Sequence, residues 1–212
     1  MKFRRKSADA VEPEAEATVE VPVEDTRPEI GPYDISDFVE DDYARVDLGS
    51  LYLPAAEGLE LRLQVDENTQ EVRAAMLASN EGAVEVRAFA APRNADLWAD
   101  VRPKIAADFA QRGGTATEQQ GPWGVELACQ LTVKTPDGQT GTQPSRIIGI
   151  NGPRWMLRAT LLGRAAIDAS QKQAWEEVIQ RIVVRRGDHA MPVGDELPLR
   201  MPSGNATRLT GG

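Results

Sequence analysis

The chain has 212 residues, 41% hydrophobic and 27% charged, with a net charge of −9, one histidine and one cysteine. This composition suits a soluble globular domain with tails, long enough to bury about two-thirds of its unfolded surface without a disulfide or metal staple. With only His189 and Cys129, a Ser-His-Asp or Cys-His nucleophilic system lacks its partners and a His/Cys zinc site lacks its ligands. No catalytic residue, metal or cofactor is therefore expected.

The acidity is concentrated at the beginning. Residues 1–42 hold five basic and thirteen acidic residues, which leaves the other 170 positions with a charge of only −1. A folded part so close to neutral gives no nucleic-acid footprint, and DNA binding is not expected of it. Residues 1–42 are rich in Glu, Asp, Pro and Ala and poor in large apolar residues, so they are expected to form a disordered acidic tail with a basic start at Lys2–Lys6. That start is followed by acidic sequence rather than an apolar segment, and no apolar run nears the roughly 20 residues of a membrane span. A cytoplasmic location is expected. Tyr33, Phe38 and Tyr43 stand among acidic residues, which reads either as a short docking motif or as the chain tucking into its domain.

From residue 43 the patterning changes. Strands are expected over Val46–Leu53, along the alternating Leu59, Leu61, Leu63 and Val65, and over Val72–Ala78 and Val84–Phe89. Leu97, Trp98, Val101, Ile105 and Phe109 follow at helical spacing, with Asn94 or Asp96 as cap, Gly113-Gly114 as stop, and Pro103 predicting a kink or restart near Asp100. A short strand near Thr115–Glu118 precedes a second alternating run, Val125 to Val133. The Pro136-Asp137-Gly138 and Asn151-Gly152-Pro153 turns then make a three-stranded meander from Gly124 to Leu162. A second helix is expected over Ser170–Ile182, with Trp175, Val178, Ile179 and Ile182 on one stripe, and Ile182–Val184 as a last strand.

The order strands, helix, strands, helix predicts an α+β fold: an antiparallel sheet of about seven to eight strands, including the meander, packed with two main helices in a layering similar to PsbP-like proteins. The expected division is a tail over 1–42, one domain over 43–187, and an extended tail over 188–212. In that last tail Leu197-Pro198-Leu199-Arg200 forms an apolar peptide whose prolines favour an open backbone.

Four phrases carry a family resemblance: Val46-Asp47-Leu48-Gly49-Ser50-Leu51, Phe89-Ala90-Ala91-Pro92-Arg93, the run from Gly149 to Arg158 containing Gly152-Pro153-Arg154-Trp155, and Leu197-Pro198-Leu199-Arg200. Together they resemble an actinobacterial family known as a domain of unknown function, whose genes often lie near that of a dUTPase. The resemblance spans roughly Gly31 to Pro202. It implies the extent of the domain and its compartment, and no activity.

Three arginines are candidate site residues. Arg154 and Arg158 are expected on one strand face with Met156 and Thr160; if Arg146 joins them, three guanidinium forks make an anion-binding face, and otherwise they are a solvated or ion-paired sheet face. Cys129 is in phase with the inward residues of its strand, His189 lies in a polar stretch, and Trp98, Trp155 and Trp175 fall on inward stripes while Trp123 does not. The adjacent pairs Asp41-Asp42 and Glu176-Glu177 read as solvated surface. No phosphate-binding glycine loop occurs. Two functions compete: a non-catalytic binding or adaptor protein, contacting a protein partner through the acidic tail or the Leu197 and Leu199 peptide, and a binding protein or enzyme for an anionic or phosphorylated small molecule in an arginine-lined pocket.

Overall fold

The computed structural model describes residues 30–93, 95–134 and 138–209. In chain order its elements are β1 (Tyr33–Asp34), β2 (Ala44–Asp47), β3 (Leu51–Pro54), β4 (Glu60–Val65), β5 (Val72–Ser79), β6 (Gly82–Ala90), α1 (Leu97–Gln111), β7 (Thr115–Gly121), β8 (Gly124–Lys134), β9 (Thr140–Gly152), β10 (Trp155–Gly163), α2 (Arg164–Ile167), α3 (Ala169–Gln180), β11 (Val183–Val184) and β12 (Thr207–Arg208).

Seven of the strands form an antiparallel sheet in the order β4-β5-β6-β10-β9-β8-β7, and the other five form a second sheet in the order β1-β11-β3-β2-β12. The fold class is α+β, as the order of elements predicts, and β8, β9 and β10 are the expected meander. The division into two sheets is new. Val46–Leu53 is not one strand, because Gly49 turns left-handed at φ 89° and the chain reverses, with Asp47 Oδ1 accepting from the Gly49 amide at 2.7 Å. The result is the β2–β3 hairpin at the centre of the second sheet, which is antiparallel except for the β1–β11 pair.

One face of the large sheet carries α1, over a small core of Leu97, Trp98, Leu127, Cys129, Ile147 and Met156. The opposite face carries the second sheet with α2 and α3, around a larger core that includes Leu51, Leu77, Val86, Ile148, Leu157 and Ile179. Alternation explains the division: along β9, Ile147 faces α1 while Ile148 and Ile150 face the other way. Gly149 lies where the Trp98 ring rests on the β9 backbone, and a Cβ there would overlap the ring. Asp96 caps α1 by accepting from the Ala99 amide at 2.9 Å. The helix runs through Pro103 without the expected restart, since the ring faces solvent and only one backbone donor is lost.

Two boundaries differ from expectation. The disordered tail predicted for 1–42 lies outside the described residues up to position 29, but residues 30–42 belong to the domain: β1 pairs with β11, and Gly31, Pro32, Asp34 and Phe38 are buried. At the other end, residues 188–209 are a strap along both sheets. The Leu197 amide donates to Ala88 O at 2.8 Å, the Arg200 amide to Leu48 O at 2.9 Å, and β12 closes on β2. Irregular spacing hides such segments, because a few separate apolar anchors, Phe38, Leu197 and Leu199, and backbone hydrogen bonds hold them rather than a periodic stripe. Among the described residues no helix is long and apolar enough to cross a membrane.

Candidate functional site

Three Gly-Pro pairs distant in sequence meet at one end of the large sheet. Pro122–Trp123 is the two-residue turn between β7 and β8, where Gly121 pairs with Gly124, and Pro153–Arg154 is the equivalent turn between β9 and β10, where Gly152 pairs with Trp155. Proline presets the first corner of each turn. The third pair, Gly31-Pro32, crosses in front of both. Gly31 O accepts from the Trp123 indole at 2.7 Å, and Asp34 Oδ2 accepts from the Trp155 indole at 2.7 Å. Asp34, only 8% exposed, is completed at Oδ1 by the Ser36 amide and hydroxyl at 2.9 and 2.6 Å. Gly152 makes room for this arrangement, since a Cβ there would overlap the Trp155 ring.

Between segment 30–37 and the two turns lies a cavity of about 800 Å³, with Ile30, Asp37, Arg93, Trp123 and Arg154 on its walls. The Arg93 loop is tied to the turn by the Ala91 amide, which donates to Arg154 O at 2.9 Å. Asn151 is committed elsewhere, its amide donating to the Asp96 cap of α1 at 2.6 Å. Both indole N–H groups and the Asp34 carboxylate are likewise spent on the wall. Among the described residues, the side chains of Arg93, Arg154 and Asp37 make no ion pair or hydrogen bond, so the residues lining the cavity include two arginines and an aspartate without such partners, beside the Trp123 indole.

The backbone at Arg154 adds a second observation. Its φ is 63°, a left-handed conformation that glycine adopts freely and that costs a β-carbon-bearing residue on the order of 1 kcal/mol. Gly152, just before the turn, is not in that region. A long cationic side chain therefore stands at the turn position where glycine would be more comfortable.

The family model described as "Protein of unknown function (DUF3710)" matches residues 31–208. The chain belongs to that family. The match contains every residue named on the cavity walls except Ile30, and it ends at β12, so the DUF3710 unit includes both the segment before residue 43 and the strap after 187. No curated protein matches the chain.

In this DUF3710 protein the three candidate arginines are separated. Arg158 is opposite Arg87 and shares the α1 face with Met156 and Thr160, as expected of it, but Arg146 is opposite Leu161 and faces the other core. Arg154 is in the turn. No common anion-binding face exists, because neighbouring strands impose the parity of their partners and Arg146 is out of phase with Arg158. Arg146, 3% exposed, is held by Glu126 at 2.6 and 2.8 Å and by Glu176 at 2.5 Å. The two carboxylate pairs read as solvated surface are thus each split. Glu176 binds Arg146, and Asp41 binds the buried Arg45 through two bonds of 2.6 Å, leaving Asp42 and Glu177 at the surface facing Arg208 and Arg181.

The expected docking residues are largely used inside the domain. Phe38 is buried against Tyr52 and Val183, Tyr33 packs on Phe38, Leu197 is 3% exposed in the main core, and Leu199 packs against that core. Tyr43 is 44% exposed, with the Arg181 guanidinium stacked 4.2 Å from its ring. His189 is exposed and Cys129 is buried under α1, so the two do not meet, and among the described residues no cluster of three His, Cys, Asp or Glu side chains is suited to a metal. Trp123 is the partly exposed indole, and it is the one on the cavity wall. Arg93 and Asp37 were missed, although the recurrence of Gly-Pro beside Trp or Arg was a signal available in the sequence.

Burial pushes the Cys129 thiol up to about 11, so very little thiolate exists at pH 8. In the folded protein its reaction with an aromatic disulfide reagent is expected to run at less than about 1% of the rate in urea. Comparable rates in the two conditions would show that the thiol is accessible.

Proposed function

We propose that the protein binds an anionic, phosphate- or carboxylate-bearing small molecule in the cavity formed by the Gly-Pro turns. Arg93 and Arg154 clasp the anion and Trp123 covers the attached ring or apolar body. The observation that carries this reading is Arg154: an arginine held at positive φ on the wall of the cavity, its side chain without a hydrogen bond or ion pair among the described residues. Backbone strain at a site is retained when the side chain placed there contributes something else. Planar guanidinium groups match phosphate and carboxylate geometry, and a cavity with an aromatic wall and a few convergent polar groups is the ordinary form of a small-ligand site. The gene neighbourhood implied by the family resemblance, near dUTPase, agrees with a phosphorylated ligand. A cytoplasmic protein with PsbP-like layering remains part of this proposal, and the adaptor reading is the weaker one because Phe38, Leu197 and Leu199 serve the protein's own packing.

A thermal-shift screen with nucleotides and sugar phosphates tests the reading. At least one compound is expected to raise Tm by several degrees at saturating concentration, and Arg93→Gln and Arg154→Gly are each expected to abolish the rise. Arg154→Gly should also leave the free protein as stable as before, or more stable by up to about 1 kcal/mol, since glycine removes the strain. A flat response of the wild-type protein to every compound would remove the ligand site. A glycine variant that loses stability would remove the argument from strain.

A further inference from the structure

A second cavity lies on the other face of the large sheet. Helix α1 packs mainly on β7, β8 and β9 and meets β10 at Met156, and a trench of about 420 Å³ opens between the helix and the Arg158 and Thr160 side chains of β10. Its floor is apolar, built from Ile105 and Phe109 of α1 and from Ile147 of β9. Its polar groups are Arg158 and Thr160 of β10 together with Lys104 and Asp108 of α1. Three of these four are uncommitted. Asp108 faces Arg112 at 3.3 Å, whereas Arg158, Lys104 and Thr160 make no side-chain hydrogen bond or ion pair among the described residues.

Arg158 is the informative member. It is half-buried, its guanidinium carbon lies 5.2 Å from the centre of the Phe89 ring, and its cross-strand neighbour is Arg87. The nearest carboxylates, Glu85 and Glu196, contact Arg87 at 3.2 and 2.8 Å and act on Arg158 only through space. Loss of hydration, with the Arg87 charge beside it, holds Arg158 below the usual arginine range. Guanidinium stays charged at physiological pH, so that shift registers a cation whose desolvation is poorly compensated. Burying a charge without a directly bonded anion is unfavourable, and a cation retained in that state beside an open apolar trench has the arrangement of a carboxylate anchor.

We infer that this trench is a second ligand site, distinct from the cavity of the Gly-Pro turns, for a monocarboxylate with a short apolar body: the carboxylate lies between Arg158 and Lys104, with Thr160 donating to it, and the hydrocarbon lies on Ile105, Phe109 and Ile147. A carboxylate fits better than a phosphate dianion because Asp108 lines the same trench and the rest of the floor offers no further donors. Glu85 and Glu196 share the single charge of Arg87, and their remaining charge acts on Arg158 through space and limits the excess positive charge in the same way.

Calorimetric titration of the full chain with octanoate, with 1-octanol and with inorganic phosphate tests this. Octanoate is expected to bind, octanol to bind at least tenfold more weakly, and phosphate to leave the octanoate titration unchanged. Arg158→Gln is expected to weaken octanoate at least tenfold. Lys104→Glu lies on an exposed helix position that does not disturb folding, and it should abolish binding by placing a carboxylate beside Arg158. The inference is overturned if octanoate gives no binding heat with the wild-type protein, if octanol binds as well as octanoate, if phosphate competes, or if Lys104→Glu binds octanoate normally. Arg93 and Arg154 variants should leave the octanoate titration intact, so failure at one cavity is separable from failure at the other.

Discussion

Replacement of Arg146 by leucine is expected to lower the unfolding free energy by about 3–5 kcal/mol, a large part of the 5–15 kcal/mol that holds a domain of this kind together. The guanidinium lies between two carboxylates on the core face of β9. Its side chain is 4% exposed and that of Glu126 is 1% exposed. Removing the cation leaves Glu126 buried with, among the described residues, only the Gln119 amide at 2.7 Å as a partner, while Glu176 retains Lys172 at 3.9 Å. The loss comes from the stranded charge, not from a large intrinsic worth of the ion pair. Replacing Glu126, Arg146 and Glu176 together by Leu, Met and Leu is therefore expected to bring stability back to within about 1–2 kcal/mol of wild type. Urea unfolding of the single and triple variants checks both statements. A single variant within 1 kcal/mol of wild type, or a triple variant less stable than the single, would contradict this account.

The difference between the legible and illegible parts of the fold follows from what each part uses to hold itself together. The meander and both main helices announce themselves through apolar period: Leu127 and Cys129 face α1, and Trp175, Ile179 and Ile182 line one stripe of α3 and its exit. The second sheet is made of two- to four-residue strands, too short for a period to register, and three of its members come from the segments before residue 43 and after residue 182. Segment 30–37 is held by two indole hydrogen bonds and a strand pair, contacts between residues about 90 and 120 positions apart that leave no local trace. The arginines failed as a group for a related reason. Alternation along β10 places Arg158 with Met156 and Thr160, but Arg154 lies in the Pro153–Arg154 turn rather than on that face, and parity between strands depends on register, which sets Arg146 on the other side.

The candidate site was half legible. Gly152-Pro153-Arg154-Trp155 stood out as a phrase and Trp123 as the tryptophan off the inward stripes, and both are on the cavity wall. Their meeting with Gly31 and Arg93 is a property of topology: β8 begins where β9 ends, so the turns before and after them lie side by side, and the β1 segment crosses both.

Asp41→Asn carries the other large expected effect, and it is pH-dependent. Arg45 is fully buried in a segment-closing clamp: Nε donates to Arg181 O at 2.7 Å, two nitrogens hold the Asp41 carboxylate, and the guanidinium carbon lies 4.8 Å from the Phe38 ring centre. The Arg45 bonds, with the Tyr43 amide adding to them against the cost of burial, hold the Asp41 carboxyl below its ordinary range. A depressed folded-state pKa means that the stabilisation is complete above the unfolded value of about 3.9 and disappears as pH falls through the folded value. The asparagine variant keeps the shape but not the charge. Because Asp41 is 28% exposed, the loss at pH 7 is put at about 2–3 kcal/mol, below the cost of breaking a fully buried pair. The gap between wild type and variant should stay constant from pH 7 to about 5 and close progressively below about 4, as the wild-type carboxylate protonates. A gap that persists unchanged at pH 2.5 would show that the charge on Asp41 is not what holds Arg45. The clamp lies only a few residues beyond segment 30–37 and is bound to the end of α3, so the variant also loosens one wall of the Gly-Pro cavity. Any ligand-induced rise in Tm should shrink with it, although no cavity residue has been changed.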